Sequence, residues 1–168
     1  LHQRVRLGDH DWRVADLGGQ EHFHHGWHLS MLVEHCVYVV VVDPTVLDMK
    51  AIEEQAYYCL RVIVAASRSK GDAAAPTVLL VFSHGDAVTE AQRNRCAKVA
   101  AASQTDFAGR LHITPVGPLN CASLRDPGIA ALLGQLNAIA KAMAKAATPR
   151  WLPFGSDLQR TLELLHSP

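Results

Sequence analysis

These 168 residues carry no excess of either charge sign, with 16 Lys+Arg against 16 Asp+Glu and a formal net charge of +0. Such a chain lacks the basic surplus that grips nucleic-acid or lipid phosphates, so neither partner is expected. No apolar run is long enough to span a bilayer, and the longest β-branched run, Val37–Val42, has the length of a strand. No signal-peptide pattern opens the sequence. No C-x-x-C spacing occurs either. The four cysteines (Cys36, Cys59, Cys96, Cys121) are scattered in apolar contexts and read as reduced core residues, which points to a cytoplasmic protein. Neither an internal repeat nor a low-complexity tract appears, although Ala138–Ala147 is rich in alanine.

What the chain does have is 49% hydrophobic residues, enough for a real core in one domain of this length. Arg4–Leu7 and Trp12–Leu17, separated by Gly8-Asp9-His10-Asp11, read as an antiparallel hairpin. Cys36–Asp43 (CVYVVVVD) is a continuous β-branched run, the pattern of a parallel strand buried on both faces. Met49, Ile52, Ala56, Cys59, Leu60 and Ile63 recur at helical spacing and predict a helix over about Met49–Ser67. Thr77–Phe82 is a second buried strand, and Thr89-Glu90-Ala91-Gln92 has the capping-box pattern that opens a helix to about Ala102. Leu111–Val116 is a third strand. Pro127 suits the first turn of a last helix with Ile129, Leu132, Leu133, Leu136, Ile139 and Met143 on its apolar face. This order predicts an α/β domain: a mostly parallel sheet, one antiparallel edge hairpin, and helices on both faces.

In such sheets ligands bind beyond the carboxyl ends of the strands, and three polar stretches fall there. The first is Asp16-Leu17-Gly18-Gly19-Gln20-Glu21. Asp16 can hold Mg²⁺ through carboxylate oxygen, Gly18 and Gly19 let the backbone approach a phosphate, and Gln20 can orient a water for in-line attack. A plain strand-to-loop turn is the competing reading, because Asp and Gly dominate turns. The second stretch is Ser83-His84-Gly85-Asp86. A carboxylate there can accept two hydrogen bonds from the N1 and N2 edge of guanine, which adenine cannot offer; otherwise Asp86 is a solvated turn residue. The third is Asn120-Cys121-Ala122-Ser123, small residues in a loop after the third strand. The histidines His22, His24, His25 and His28 also invite a metal reading, since His24 and His28 would share one face of a helix. Gly26 weakens that helix and no cysteine lies near, so a solvated segment is the simpler expectation.

Taken together, the three stretches resemble the nucleotide motifs of Ras-like GTPases. Asp-x-Gly-Gly-Gln-Glu with its histidine-rich continuation, and Ser-His-Gly-Asp, resemble in particular the Roc (Ras of complex proteins) domain of Roco proteins. The resemblance implies a Ras-like P-loop GTPase fold that binds GDP and GTP with Mg²⁺ and hydrolyses GTP as a molecular switch. By it, Asp16 serves the metal, Gly19 the γ-phosphate and Gln20 the attacking water. Ser83, His84 and Asp86 form the base-reading loop, with His84 against the base plane, and Cys121 and Ala122 stand in the Ser-Ala-Lys position, where the Ala122 N–H contacts guanine O6. Serine at position 83 departs from the Asn or Thr of the family. Pro149-Arg150-Trp151-Leu152-Pro153-Phe154 resembles the segment that joins Roc to the COR domain. The organisation implied is a G domain over 1–148, and a linker with the start of a COR-like segment over 149–168. Partners in the same polypeptide and a homodimer are implied in the same way. A C-terminal helix docked through Trp151 and Phe154 is the alternative for the tail.

The family's G-x-x-x-x-G-K-[ST] loop is not among the 168 residues, nor are the first strand and the first switch. An interior strand cannot be dispensed with, because its neighbours would expose unpaired backbone groups. The expectation is that these parts lie upstream in the same polypeptide; supply by another chain is the alternative. Two other functional classes remain. One is a non-hydrolysing interaction or dimerisation module with degenerate motifs, and the other is a histidine-based metal-binding domain.

Overall fold

A computed structural model describes residues 2–7, 10–15, 36–45, 48–68, 75–123 and 125–146. The elements run β1 (His2–Leu7), β2 (His10–Ala15), β3 (Val37–Val42), α1 (Met49–Arg68), β4 (Thr77–Phe82), α2 (Glu90–Asp106), β5 (His112–Val116) and α3 (Pro127–Ala146). The chain is therefore α/β. β3, β4 and β5 form a parallel three-stranded sheet in that order, with Val42 level with Phe82 and Val81 level with Val116.

The expected hairpin is present and its first strand ends at Leu7 as expected, but the second begins closer to the turn than the sequence reading places it. His10 and Asp11 belong to β2, where they pair with Leu7 and Arg6. The hairpin is also not an edge of the parallel sheet: it forms a two-stranded sheet of its own among the described residues. Packing still links the two, since Trp12 and Val37 both rest on the apolar cluster of Leu79, Val81, Val116, Leu119 and Leu136.

Side chains alternate across β4 and divide the core between two layers. Val78, Leu80 and Phe82 meet Ile52, Ala56 and Leu60 of α1 and Cys96, Val99 and Ala100 of α2. Leu79 and Val81 face the other way, toward Leu136 of α3. Helices thus cover both faces of β4. Between α1 and α2, the Tyr57 hydroxyl donates to Asp106 Oδ2, and its ring meets Phe107 edge-on with centroids 5.4 Å apart. Burial first, then this bond to a carboxylate, pushes the Tyr57 phenol up to about 12.

β3 departs from the expectation of burial on both faces. Val40 and Val42 are buried, but Val39 and Val41 are 46% and 54% exposed. They are level with Leu79 and Val81, on the side that α3 covers over β4 but not over β3. Leu133, expected on the apolar face of α3, is exposed as well, and so is Cys121, whereas Cys96 is buried and Cys36 and Cys59 are half-buried. α2 runs four residues beyond the expected end. Its start follows the predicted capping box: Thr89 Oγ1 accepts from the Gln92 N–H at 3.3 Å, and Gln92 Oε1 accepts from the Thr89 N–H at 2.8 Å.

Gly134 lies in the exposed middle of α3, and a Cβ there would meet nothing within 4 Å. Gly134→Ala is therefore expected to stabilise the protein by roughly 0.5–1 kcal/mol, because alanine loses less backbone entropy in a helix. The urea midpoint reads it, and an unchanged or lower midpoint would contradict it.

Candidate functional site

Three loops leave the carboxyl ends of the parallel strands: Asp43–Thr45 after β3, Ser83–Thr89 after β4 and Gly117–Asp126 after β5. The register places Asp43 and Ser83 one step beyond the paired Val42 and Phe82, so two of these loops start side by side.

Ser83 is buried. Its N–H donates to Val42 O at 3.0 Å, and its hydroxyl lies 3.4 Å from the same oxygen. Ser83 thus ties β4 to the end of β3 through its N–H and its hydroxyl. His84 turns the chain with φ 53, a left-handed conformation uncommon outside glycine. Its carbonyl accepts from the N–H groups of Ala87 (2.9 Å) and Val88 (3.1 Å), which closes the turn. Gly85 donates to Leu119 O at 2.9 Å, and its own carbonyl accepts from Arg93 Nη2 at 2.5 Å. A Cβ on Gly85 would stand 2.7 Å from Pro118 O and 2.8 Å from the Leu119 carbonyl carbon, so glycine alone permits this approach. Asp86 is exposed and makes no hydrogen bond or ion pair among the described residues.

Leu119 joins the second and third loops. It is 1% exposed, its N–H donates to Phe82 O at 3.0 Å, and its carbonyl takes the Gly85 N–H. The next residue, Asn120, bends the chain with its side chain: Oδ1 accepts from the Ala122 N–H at 2.9 Å, in an Asx turn. The Ala122 amide is thus engaged within its own loop, and a ligand oxygen would have to replace Asn120 Oδ1 to use it. Cys121 and Ala122 are both exposed. Asp126 caps α3 through its Oδ1, which accepts from the Gly128 N–H at 2.7 Å.

Asp43 is a member of the site that sequence reasoning missed. Its Oδ1 accepts from the Thr45 N–H at 2.8 Å and the Thr45 hydroxyl at 2.7 Å. Its Oδ2 lies 3.3 Å from Nε2 of His84. Desolvation by burial works to raise the Asp43 pKa, but the two bonds from Thr45 and the nearby His84 outweigh it and hold the carboxyl below its ordinary value. The signal was an aspartate ending a buried strand; its partner lies 41 positions on, where only strand pairing brings it close. Gln92 does more than close the capping box: its Nε2 also donates to Pro44 O at 3.1 Å, tying the β3 loop to the start of α2.

The structure thus brings Ser83, His84, Asp86, Cys121 and Ala122 to one end of the sheet on two hydrogen-bonded loops. β2 ends at Ala15, and Asp16, Gly19, Gln20 and the histidines His22, His24, His25 and His28 lie outside the described residues, as does the tail 149–168. Among the described residues no group of three or more His, Cys, Asp or Glu side chains is gathered to hold a metal ion, and no helix is long and apolar enough to cross a membrane. In comparison with known proteins, the chain matches no family model, no curated protein and no solved structure.

Proposed function

We propose that the chain is a guanine-nucleotide-binding domain of the Ras-like type, similar to the Roc domains of Roco proteins, and works as a GTP-hydrolysing switch in a larger polypeptide. The observation that carries this reading is the Ser83–Asp86 loop. It leaves the carboxyl end of the central strand, is bonded to the β3 and β5 loops on its two sides, and offers one exposed carboxylate with no partner among the described residues. A carboxylate so held can take the two N–H donors on the N1 and N2 edge of guanine, and adenine would leave it unpaired. His84, 55% exposed at its side chain, would lay its imidazole against the base plane.

The arrangement of the sheets gives further support. β2 and β3 contribute to one apolar cluster through Trp12 and Val37 but share no ladder among the described residues, and the Trp12 Nε1 is buried without a hydrogen-bond partner. In a Ras-like fold the strand that leads into the phosphate loop lies between these two. The phosphates need the amide cradle of that loop, which the proposal places upstream in the same polypeptide. Asp16, following the last residue of β2, would hold Mg²⁺ through its oxygens, Gly19 would face the γ-phosphate, and Gln20 would orient the attacking water.

A non-hydrolysing interaction module is the second reading, and the exposed Val39 and Val41 favour it, since adjacent apolar residues on one sheet face suit a covering partner.

The test is extraction of the purified protein for bound guanine nucleotide, then titration with fluorescent GDP, with and without Mg²⁺, on the 168-residue chain and on full-length protein. Asp86→Ala is expected to weaken GDP by about tenfold to a hundredfold, the loss of hydrogen bonds to one charged acceptor. GDP binding that survives the substitution unchanged, or no binding by either protein, sinks the proposal and leaves the interaction module.

A further inference from the structure

The β3 loop is built more firmly than a connection between a strand and a helix requires. Asp43 Oδ1 receives both the N–H and the hydroxyl of Thr45, which fixes the carboxylate in one orientation. Gln92, anchored in the capping box of α2, holds the intervening Pro44 carbonyl. The second carboxylate oxygen, held by none of these bonds, faces Nε2 of His84 at 3.3 Å. His84 is also the residue that adopts the left-handed turn on which Gly85 and Asp86 follow.

An imidazole nitrogen facing a carboxylate carries the proton, and in the neutral ring the other nitrogen is then an acceptor. Asp43 thus selects the tautomer with the proton on Nε2. We propose that Asp43 is a positioning residue for base recognition: it fixes the tautomer and orientation of the His84 imidazole and steadies the turn that presents Asp86. The inference rests on the guanine reading of Asp86. Asp43 itself touches no nucleotide in this scheme and acts through His84. The loop is then braced on both sides, by Asp43 at His84 and by Leu119 O at Gly85.

Asp43→Asn keeps a carbonyl oxygen for Thr45 and removes the charge, so it tests the link with little disturbance of the turn. Two readouts on the full-length protein decide it. The first is the ring ¹⁵N signals of His84 without nucleotide, expected to show the Nε2–H tautomer in the parent and a mixture in Asp43→Asn. The second is the affinity for fluorescent GDP in the parent, Asp43→Asn, His84→Ala and the double variant. Asp43→Asn is expected to weaken GDP about two- to fivefold, the range of one partly exposed side-chain hydrogen bond, and to add nothing once His84 is alanine. An equal loss with and without the imidazole overturns the positioning role, and so does no loss at all. An unchanged His84 ring signal overturns the pairing while leaving the guanine reading intact. A parent protein with no affinity for GDP overturns the guanine reading and, with it, the role of Asp43 in base recognition.

Discussion

Phe82→Ala is expected to cost about 3–5 kcal/mol, the range for removing a buried aromatic ring from a packed core. Phe82 is 1% exposed and is among the largest fully buried side chains. It belongs to the core layer that α1 and α2 build with β3 and β4, so the lost ring leaves a cavity between elements that cannot all close on it. Total stability in domains of this size is about 5–15 kcal/mol, so the loss is a large fraction of the whole. Phe82 also ends the central strand, and its carbonyl holds the Leu119 N–H that anchors the β5 loop. Urea unfolding should therefore show a much lower midpoint at an unchanged slope. A loss under about 1.5 kcal/mol would mean that the ring is not packed as described.

Gly117→Ala carries the second large effect, about 2–4 kcal/mol, from two separate causes. Its φ of 94 lies in the region that L side chains rarely adopt. In addition, a Cβ would stand 2.6 Å from Phe82 O and 2.8 Å from Leu119 N. Those two atoms are the acceptor and donor of one hydrogen bond, so the methyl group would force apart the link between β4 and the β5 loop. Gly109 separates the causes: it has φ 72, but a Cβ there meets nothing within 4 Å. Gly109→Ala should cost only the conformational part, about 1 kcal/mol. Equal losses at the two positions, measured by urea unfolding, would show that the contacts at Gly117 count for nothing.

Both substitutions act on the platform of the site rather than on Asp86. If the proposed guanine site is correct, GDP affinity should fall along with stability in Gly117→Ala, because the loop that carries Asn120 and Ala122 is held by the bond being broken.

The sequence by itself determined the elements of this protein. The helical spacing of Ile52, Ala56, Leu60 and Ile63 marked α1, and all four are buried in the core. The run TVLLVF marked β4, and Thr89 with Gln92 marked the start of α2. These signals are local: side-chain period and capping depend on residues within a few positions of one another. The placement of Ser83–Asp86 at a strand's carboxyl end was legible for the same reason.

Only the tertiary structure decided which faces are covered and which loops meet. The β-branched run of β3 looks the same whether one face or both are buried; α3 reaches over β4 and β5 and leaves Val39 and Val41 exposed. Hairpin pairing is local and was foreseen, but whether the hairpin joins the parallel sheet depends on what lies beside β2 and β3. Asp43 and His84 are far apart in sequence, and only the parallel register that levels Val42 with Phe82 brings them together. The Ala122 amide shows the same limit at short range: the stretch Asn120–Ser123 was recognised as a loop, but its donor is engaged by Asn120 through a rotamer that residue types alone do not specify.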